Sequence, residues 1–337
     1  MRIGMVGLGK MGANMTRRLI GKGHEVVGFD LGADARAAVA SYGADTASSL
    51  QELAGKLSAP RVAWVMVPAG KPTDETVATL GQCFESGDVV IDGGNSNYKD
   101  AAPYAARLAE RGVHFIDAGT SGGVWGLENG YCLMVGGTPE AIAIAEPIFL
   151  ALAPEGGYAH VGPVGAGHFV KMVHNGIEYG LMEAYAEGFE LLSKADEYHL
   201  DLHEIAAIWR YGSVVRSWLL ELTELALRPG AGFESIEPYV VDSGEGRWTL
   251  EEALGREVPV PVIAASLFRR FESRDKNSYG LRLLAALRNQ FGGHAVLRCR
   301  QHSLAQSRMV EKPTQREHDR DQAADDPEHL RFDLSAA

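Results

Sequence analysis

The sequence predicts an α/β protein in which a doubly wound, largely parallel sheet is followed by an all-α domain. Three observations predict it. Short apolar strands alternate with helical stretches over the first half, a glycine-rich turn joins the first strand to the first helix, and after Leu200 strand patterning gives way to helical runs of Ala, Leu, Arg and Glu. The expected divisions are a dinucleotide-binding domain over 1–165, a helical domain over 166–296 opened by one long helix (167–195), and a polar tail over 297–337.

Composition bounds the rest. With 337 residues, 46% of them apolar and 23% charged, the chain is long enough for two domains and a large buried core. Its net charge of −12 argues against non-specific nucleic-acid binding, so an anionic ligand requires a local basic pocket. Cys83, Cys132 and Cys299 are few, odd in number and widely spaced, which suggests neither a disulfide framework nor a zinc site. No charged leader precedes the first strand and no run of about 18 apolar residues occurs, so a cytoplasmic protein with no membrane partner is expected.

Met1–Val6 is a short apolar strand that runs into Gly7-Leu8-Gly9-Lys10-Met11-Gly12. Ala13–Lys22 then has helical composition, and a second strand, Glu25–Phe29, follows. A lone GxGxxG is weak; strand, helix and second strand in this order make it a Rossmann-like fingerprint. Gly7 permits the tight turn, Gly9 lets backbone approach a pyrophosphate, Gly12 allows close helix packing, and the free N–H groups of the helix start bind phosphate charge. Asp30, about 20 residues on, is placed to accept hydrogen bonds from both ribose hydroxyls and to repel a 2′-phosphate. The nearest arginine is Arg36, so NAD is expected over NADP.

Further strands are expected at Val62–Val67, Val89–Ile91, Val113–Ile116 and Leu133–Val135. The loops after them carry Pro68-Ala69-Gly70, Asp92-Gly93-Gly94-Asn95-Ser96-Asn97 and Gly119-Thr120-Ser121-Gly122-Gly123-Val124. Each alone is ordinary turn chemistry; their shared position after consecutive strands points to a crevice. The expected cofactor residues are Gly7, Leu8, Gly9, Met11, Gly12, Asp30, Val67, Pro68 and Asn95.

Gly167–Leu192 runs for about seven helical turns without proline, with Val170, Val173, Ile177, Leu181, Ala184 and Gly188 at three- and four-residue steps. A second stripe, Lys171, His174, Asn175 and Glu178, puts an amine, an imidazole, an amide and a carboxylate on one face. On an isolated helix such charges are ordinarily solvated, and only the preceding loops argue otherwise.

GLGKMG, VMVPAG, IDGGNSNY, DAGTSGGVWG and KMVHNGIEYG, in this order, resemble 6-phosphogluconate dehydrogenases, the decarboxylating enzymes of the oxidative pentose phosphate route within the β-hydroxyacid dehydrogenases. The resemblance runs from Met1 to about Val296. It implies that Asn95, Ser121, Gly122, Gly123, His174 and Asn175 hold the sugar acid, with Lys171 as general base and Glu178 as general acid. It also implies that Tyr179 and Arg270 serve the phosphate, and that Arg288 and His294 reach the phosphate bound by a neighbouring subunit, in a homodimer or homotetramer. The helical region after Leu200 is shorter than in longer members, as in a branch that is often NAD-linked. Where those members carry a phosphate-binding lysine this chain has Ser243, with Arg247 close by to compensate.

The chemistry asks for these groups. Oxidising a sugar-acid hydroxyl needs a base for the O–H proton, which Lys171 supplies if its site keeps it neutral, and a nicotinamide to accept hydride. The β-keto acid then loses carbon dioxide as protonated Lys171 stabilises the developing oxyanion, and Glu178 protonates the enediol. No metal is needed. His199 and His203, at i and i+4, have no evident third ligand and read as surface residues. A 3-hydroxyisobutyrate-type dehydrogenase would share the glycine loop and the lysine, but not the IDGGNS loop or the carboxyl of Glu178. A non-catalytic NAD-binding protein would be expected to have lost the lysine, asparagine and glutamate set.

In the second half, breaks near Pro229–Gly232, Ser243–Gly246 and Pro259–Pro261 divide helices, and Trp218-Leu219-Leu220 is expected to be an apolar face buried against a second copy. The polar tail is expected to be disordered or loosely docked.

Overall fold

The computed structural model describes residues 1–292 and 295–297. The first portion alternates β1 (Arg2–Val6), α1 (Lys10–Gly21), β2 (Glu25–Phe29), α2 (Ala33–Ala40), β3 (Asp45–Ala47), α3 (Leu50–Gly55), β4 (Val62–Val65), α4 (Lys71–Cys83), β5 (Val89–Asp92), α5 (Tyr98–Ala109), β6 (His114–Ser121), α6 (Gly126–Asn129), β7 (Cys132–Gly137), α7 (Pro139–Leu152) and β8 (Tyr158–Gly162). Helices α8 (Ala166–Ser193), α9 (Leu202–Trp209), α10 (Trp218–Leu227), α11 (Glu245–Gly255) and α12 (Pro261–Arg274) follow. Two compact units divide at Lys276, and α13 (Tyr279–Gly292) belongs to the second. The tail beyond 297, together with His294 and Cys299, lies outside the described residues.

The sheet order is β3-β2-β1-β4-β5-β6-β7-β8, and every neighbour is parallel except the β6–β7 pair. It is the doubly wound arrangement expected, with two strands the patterning did not reveal. β3 has three residues, and β8 is an edge strand whose centre faces solvent, so neither has the buried alternation that marks a strand. Along β1, β4 and β5, alternate side chains feed two cores on opposite faces: Ile3, Met5, Trp64 and Ile91 on one side, Val6, Val65 and Val90 on the other. The strands are buried on both faces, as helix-covered parallel sheets require.

The helical breaks fall as the composition suggested, since α10 ends at Leu227, α11 begins at Glu245 and α12 at Pro261. Two expectations are corrected. The apolar stripe of α8 does not supply its buried face: Ile177 is 53% and Leu181 45% exposed, whereas Lys171, Met172, Asn175, Gly176 and Tyr179 are buried. Small residues on that side let β6, β7, α11 and α12 come close, and Lys171 and Asn175 of the polar stripe are enclosed with them. Nor is Trp218-Leu219-Leu220 one outward face. Leu220 is fully buried with Phe189 and Ala206, while Trp218 and Leu219 line the cleft described below.

Candidate active site

A cleft of about 1600 Å³ opens at the carboxyl ends of β1, β2, β4, β5 and β6. It is lined by the glycine loop, the three loops singled out above, one face of α8 and the start of α10. This is where an open parallel sheet binds ligand.

The glycine loop is shaped as its residues dictate. Gly7 adopts φ +90°, and a Cβ on Gly12 would stand 1.9 Å from the Gly7 carbonyl oxygen, so α1 can sit this close only without one. Helix α1 has no side-chain cap and no acid in its first turn, and a Cβ on Gly9 would meet nothing within 4 Å. Uncapped N–H groups facing open space fit a pyrophosphate. Asp30 lines the cleft at the end of β2, its Oδ2 accepting the Leu8 N–H at 2.7 Å and its Oδ1 the Gly32 N–H at 2.8 Å. Each oxygen keeps a lone pair for a ribose hydroxyl. Arg36 is close, but its guanidinium donates to the carbonyls of Asp30 and Leu31. Leu8 itself points into the core, so it contributes only backbone.

Helix α8 is fastened at its start by a carboxylate from β6. Its N-cap, Gly165, offers no side chain; Asp117 instead accepts the Gly165 N–H at 2.6 Å and the His168 N–H at 2.8 Å. Orphan donors at a helix start are thereby satisfied from a neighbouring strand. On the far side, the His168 Nε2 stands 3.3 Å from Oδ2 of Asp92, and both side chains are buried. Burial alone would weaken the imidazole's hold on its proton, but Asp92, Asp117 and Glu245 outweigh it and raise that hold. Burial likewise opposes ionisation of Asp92, and His168, Ser96 and the Gly94 N–H reverse it, so its pKa is lowered. For Asp117 burial prevails and its pKa is raised.

The polar stripe of α8 brings four functional groups together. Lys171 and Asn175 are each 8% exposed, and Lys171 Nζ donates to Asn175 Oδ1 at 2.5 Å. Burial lowers the pKa of the amine below the ordinary lysine value, against the pull of Glu178 and Glu245. His174 Nδ1 lies 3.0 Å from the same amide oxygen and its Nε2 lies 3.4 Å from Ser121 Oγ. Since the amide oxygen can only accept, Nδ1 carries the proton and the serine hydroxyl faces an acceptor. Glu178 is half-exposed at the cleft, its Oε2 3.9 Å from His174 Nδ1. The arrangement offers an amine that burial makes easier to deprotonate, a water-accessible carboxyl, and hydrogen-bonding groups between them.

The expected residues are not all in one place. Gly7, Gly9, Met11, Gly12, Asp30, Val67, Pro68, Asn95, Ser121, Gly122, Gly123, Lys171, His174, Asn175 and Glu178 line the cleft. Tyr179 and Arg270 pair away from it, with the guanidinium 3.5 Å over the buried ring and the phenol 3.1 Å from Ser243 Oγ. Arg247, offered as a stand-in for the absent lysine, is engaged by Asp242 and lies over the Phe271 ring. Arg288 is on α13, in the second unit, and His294 is outside the described residues. His203 pairs with Glu224 at 2.8 Å, and no group of three His, Cys, Asp or Glu among the described residues could hold a metal. Sequence reasoning missed His168, Asp92, Asp117 and Glu245. His168 stands three residues before Lys171, so extending the helical stripe backwards by one turn would have found it.

A doubly wound sheet with an uncapped glycine-loop helix, an acid at the end of β2 and a buried lysine in the same cleft defines a dinucleotide-dependent dehydrogenase. Family profiles carry this further: the NAD binding domain of 6-phosphogluconate dehydrogenase matches residues 2–162, and the 6-phosphogluconate dehydrogenase C-terminal domain matches residues 167–286. A Haloferax volcanii protein named as a 6-phosphogluconate dehydrogenase, NAD(+)-dependent and decarboxylating, is 46% identical over 301 residues, covering 88% of this chain and 99% of the relative. A decarboxylating 6-phosphogluconate dehydrogenase of Lactococcus lactis is 37% identical over 295 residues, 81% of this chain but 61% of that longer protein. The solved 6-phosphogluconate dehydrogenase of Plasmodium falciparum superposes with a TM-score of 0.75 at 27% identity, covering 90% of this chain and 68% of that one. The chain belongs to the 6-phosphogluconate dehydrogenase family.

Proposed function

We infer that this chain converts 6-phosphogluconate to ribulose 5-phosphate and carbon dioxide while reducing NAD. Family membership and the full-length match to an NAD(+)-dependent, decarboxylating relative support the reaction. The observation that carries the assignment of roles is the buried Lys171 amine, bonded to Asn175 and sharing one cleft with Glu178 and the glycine loop.

Bound NAD supplies the hydride acceptor. Lys171, as the neutral amine that burial favours, takes the proton of the substrate's 3-hydroxyl. The resulting ammonium then donates to the ketone oxygen, which gathers negative charge as the carboxylate leaves as carbon dioxide. Glu178 delivers a proton to C1 of the enediol as the enediol O–H proton returns to the Lys171 amine, and the exposure of Glu178 lets water restore its proton. Asn95, Ser121, Gly122, Gly123, His174 and Asn175 orient the sugar acid, and Asn175 holds the amine in place. Glycine-loop amides and Asp30 hold NAD, with Val67 and Pro68 along its course. An assay of purified protein with 6-phosphogluconate and NAD, following NADH and carbon dioxide together, tests the reaction; NADH without carbon dioxide would refute decarboxylation.

We also propose that Tyr179 and Arg270 serve the phosphate end, together with Arg288 and His294 of a neighbouring chain in a homodimer or homotetramer. Support comes from the Tyr179–Arg270 stack and from Leu281, Leu284 and Leu287 of α13, exposed apolar residues that a second copy would cover. Mixed Lys171→Ala and Arg288→Ala subunits should then recover activity, and no recovery despite subunit exchange would refute sharing. No helix among the described residues is long and apolar enough to cross a membrane. A charged sugar phosphate does not cross membranes either, which favours the cytoplasm as the place of action.

A further inference from the structure

Helix α11 meets α8 with its first turns. Thr249 Oγ1 donates to the Met172 carbonyl and to the Glu245 carbonyl, both at 2.9 Å. The contact is close because Gly176 lacks a side chain: a Cβ there would lie 2.6 Å from Thr249 Cγ2. Gly246 rests on the Tyr179 ring in the same way. Glu245 stands one turn before Thr249, so it shares the face turned toward α8, and it is only 2% exposed. Its carboxyl has no hydrogen-bond donor among the described residues. A buried carboxyl without a donor must answer to the nearest charges.

The groups acting on Glu245 are Lys171, His168 and Glu178. Those acting on Lys171 are Glu178 from α8, Glu245 from α11 and Cys132 from β7. Other ionisable groups packed on α8 have partners elsewhere: Asp117 of β6 caps the helix, Asp92 of β5 faces His168, Arg269 of α12 reaches Glu183, and Arg270 stacks on Tyr179. Glu178 is half-exposed and screened by water, whereas Glu245 is nearly buried, where charges are felt more strongly.

We propose that Glu245 is a positioning residue for the proton-transfer step, acting on the Lys171 amine across the α8–α11 packing and governing how readily that amine gives up its proton. Its consequence for turnover rests on Lys171 being the base of the proposed reaction; the coupling itself does not. An ionised Glu245 holds the proton on Lys171. Removing that charge lets the amine become a base at lower pH. Burial raises the proton affinity of Glu245 and Lys171 opposes it, so the carboxylate acts on the amine only at pH above its raised pKa.

The test is a titration of Lys171 in protein carrying ¹⁵N-labelled lysine, its Nζ signal assigned by its loss in Lys171→Met. In Glu245→Gln, which keeps the side-chain volume, the midpoint should fall by about half a unit or more, and the acid limb of kcat/KM should fall with it, so that activity on that limb rises about threefold relative to the plateau. Glu245→Asp, which withdraws the charge by one methylene, should give a smaller fall and guards against a Gln variant that does not fold. An unmoved midpoint in folded Glu245→Gln overturns the proposal. A moved midpoint with an unmoved acid limb upholds the coupling and overturns Lys171 as the base.

Discussion

The carboxylate of Asp117 spans the backbone N–H groups of Gly165 and His168, at 2.6 and 2.8 Å, and so fixes the start of the helix that carries Lys171. It stands on the strand that runs on into Ser121 and Gly122, and one group thus ties the Ser121 loop to the Lys171 stripe. Asp117→Asn keeps the shape but presents an amide NH₂ to one of the two donors, leaving it unsatisfied in the interior. Unfolding in urea should show a loss of about 1–3 kcal/mol, the cost of a buried unpaired donor. Equal stability in the two proteins would mean that the cap contributes nothing.

The His168–Asp92 pair gives the fold a pH dependence with a definite sign. The proton affinity of His168 is raised in the folded protein, so its contribution to stability is fully present below its unfolded value near 6.5 and is lost as pH rises through the folded value. Asp92 has the opposite sense, since its lowered pKa contributes above the ordinary aspartate value and fades only as pH falls through the depressed one. Unfolding free energies measured between about pH 6 and 9 should decline with pH, and the decline should flatten in His168→Gln. A slope that survives that substitution would assign the effect to other groups.

Much of this site could be read from local pattern, and the rest could not for a physical reason. The glycine loop, Asp30 and the Lys171–Glu178 stripe are legible because their geometry is set by bonds along a few residues: a turn, a strand end, a helical repeat. Two neighbours in one motif behaved differently. Asp92 and Asn95 share one crevice loop, but the resemblance gives a role to Asn95 alone; the partner of Asp92, His168, comes from another element and no spacing encodes the pairing. The α8 stripe misled in the opposite sense. Val170, Ile177 and Leu181 have the right period for a core face, yet glycines on the other side admit four elements that bury Lys171 and Asn175 instead. Edge strands β3 and β8 escaped because an edge need not bury alternate residues.

The approach of α8 to β6 depends on Gly119. A Cβ there would lie 2.5 Å from Lys171 Cβ and 2.6 Å from the Gly167 carbonyl oxygen, and backbone cannot rotate away as a flexible side chain can. Gly119→Ala should therefore destabilise by about 1–3 kcal/mol, as overpacking does, and carry Lys171 off the sheet. Kinetics and melts on the same preparation should show kcat falling alongside the melting temperature. A stable variant with unchanged kcat would mean that α8 moves freely there.

Lys171→Met separates function from stability. Methionine fills the buried channel of the stem without a charge to desolvate, so thermal unfolding should be unchanged or improved, by up to about 1 kcal/mol. Activity should drop about 10²–10⁴-fold, the range for loss of a general base. A Met variant that retains turnover would remove the amine from the chemistry altogether.

On the proposed role of Asp30, cofactor choice is made beside the ribose. Its carboxylate holds the Leu8 and Gly32 N–H groups and presents negative charge to anything bound at the 2′ position, while the Arg36 guanidinium lies against the same turn through the carbonyls of Asp30 and Leu31. Asp30→Ser removes the repulsion, keeps a short polar side chain, and leaves a cation within reach of a 2′-phosphate. The ratio of kcat/KM for NAD over NADP should fall at least about tenfold, equivalent to about 1.4 kcal/mol. Some of that fall should appear as weaker NAD binding, because the serine hydroxyl cannot accept from both ribose hydroxyls and two backbone donors at once. A ratio that stays put would place the discrimination in the opposite wall of the cleft, away from β2.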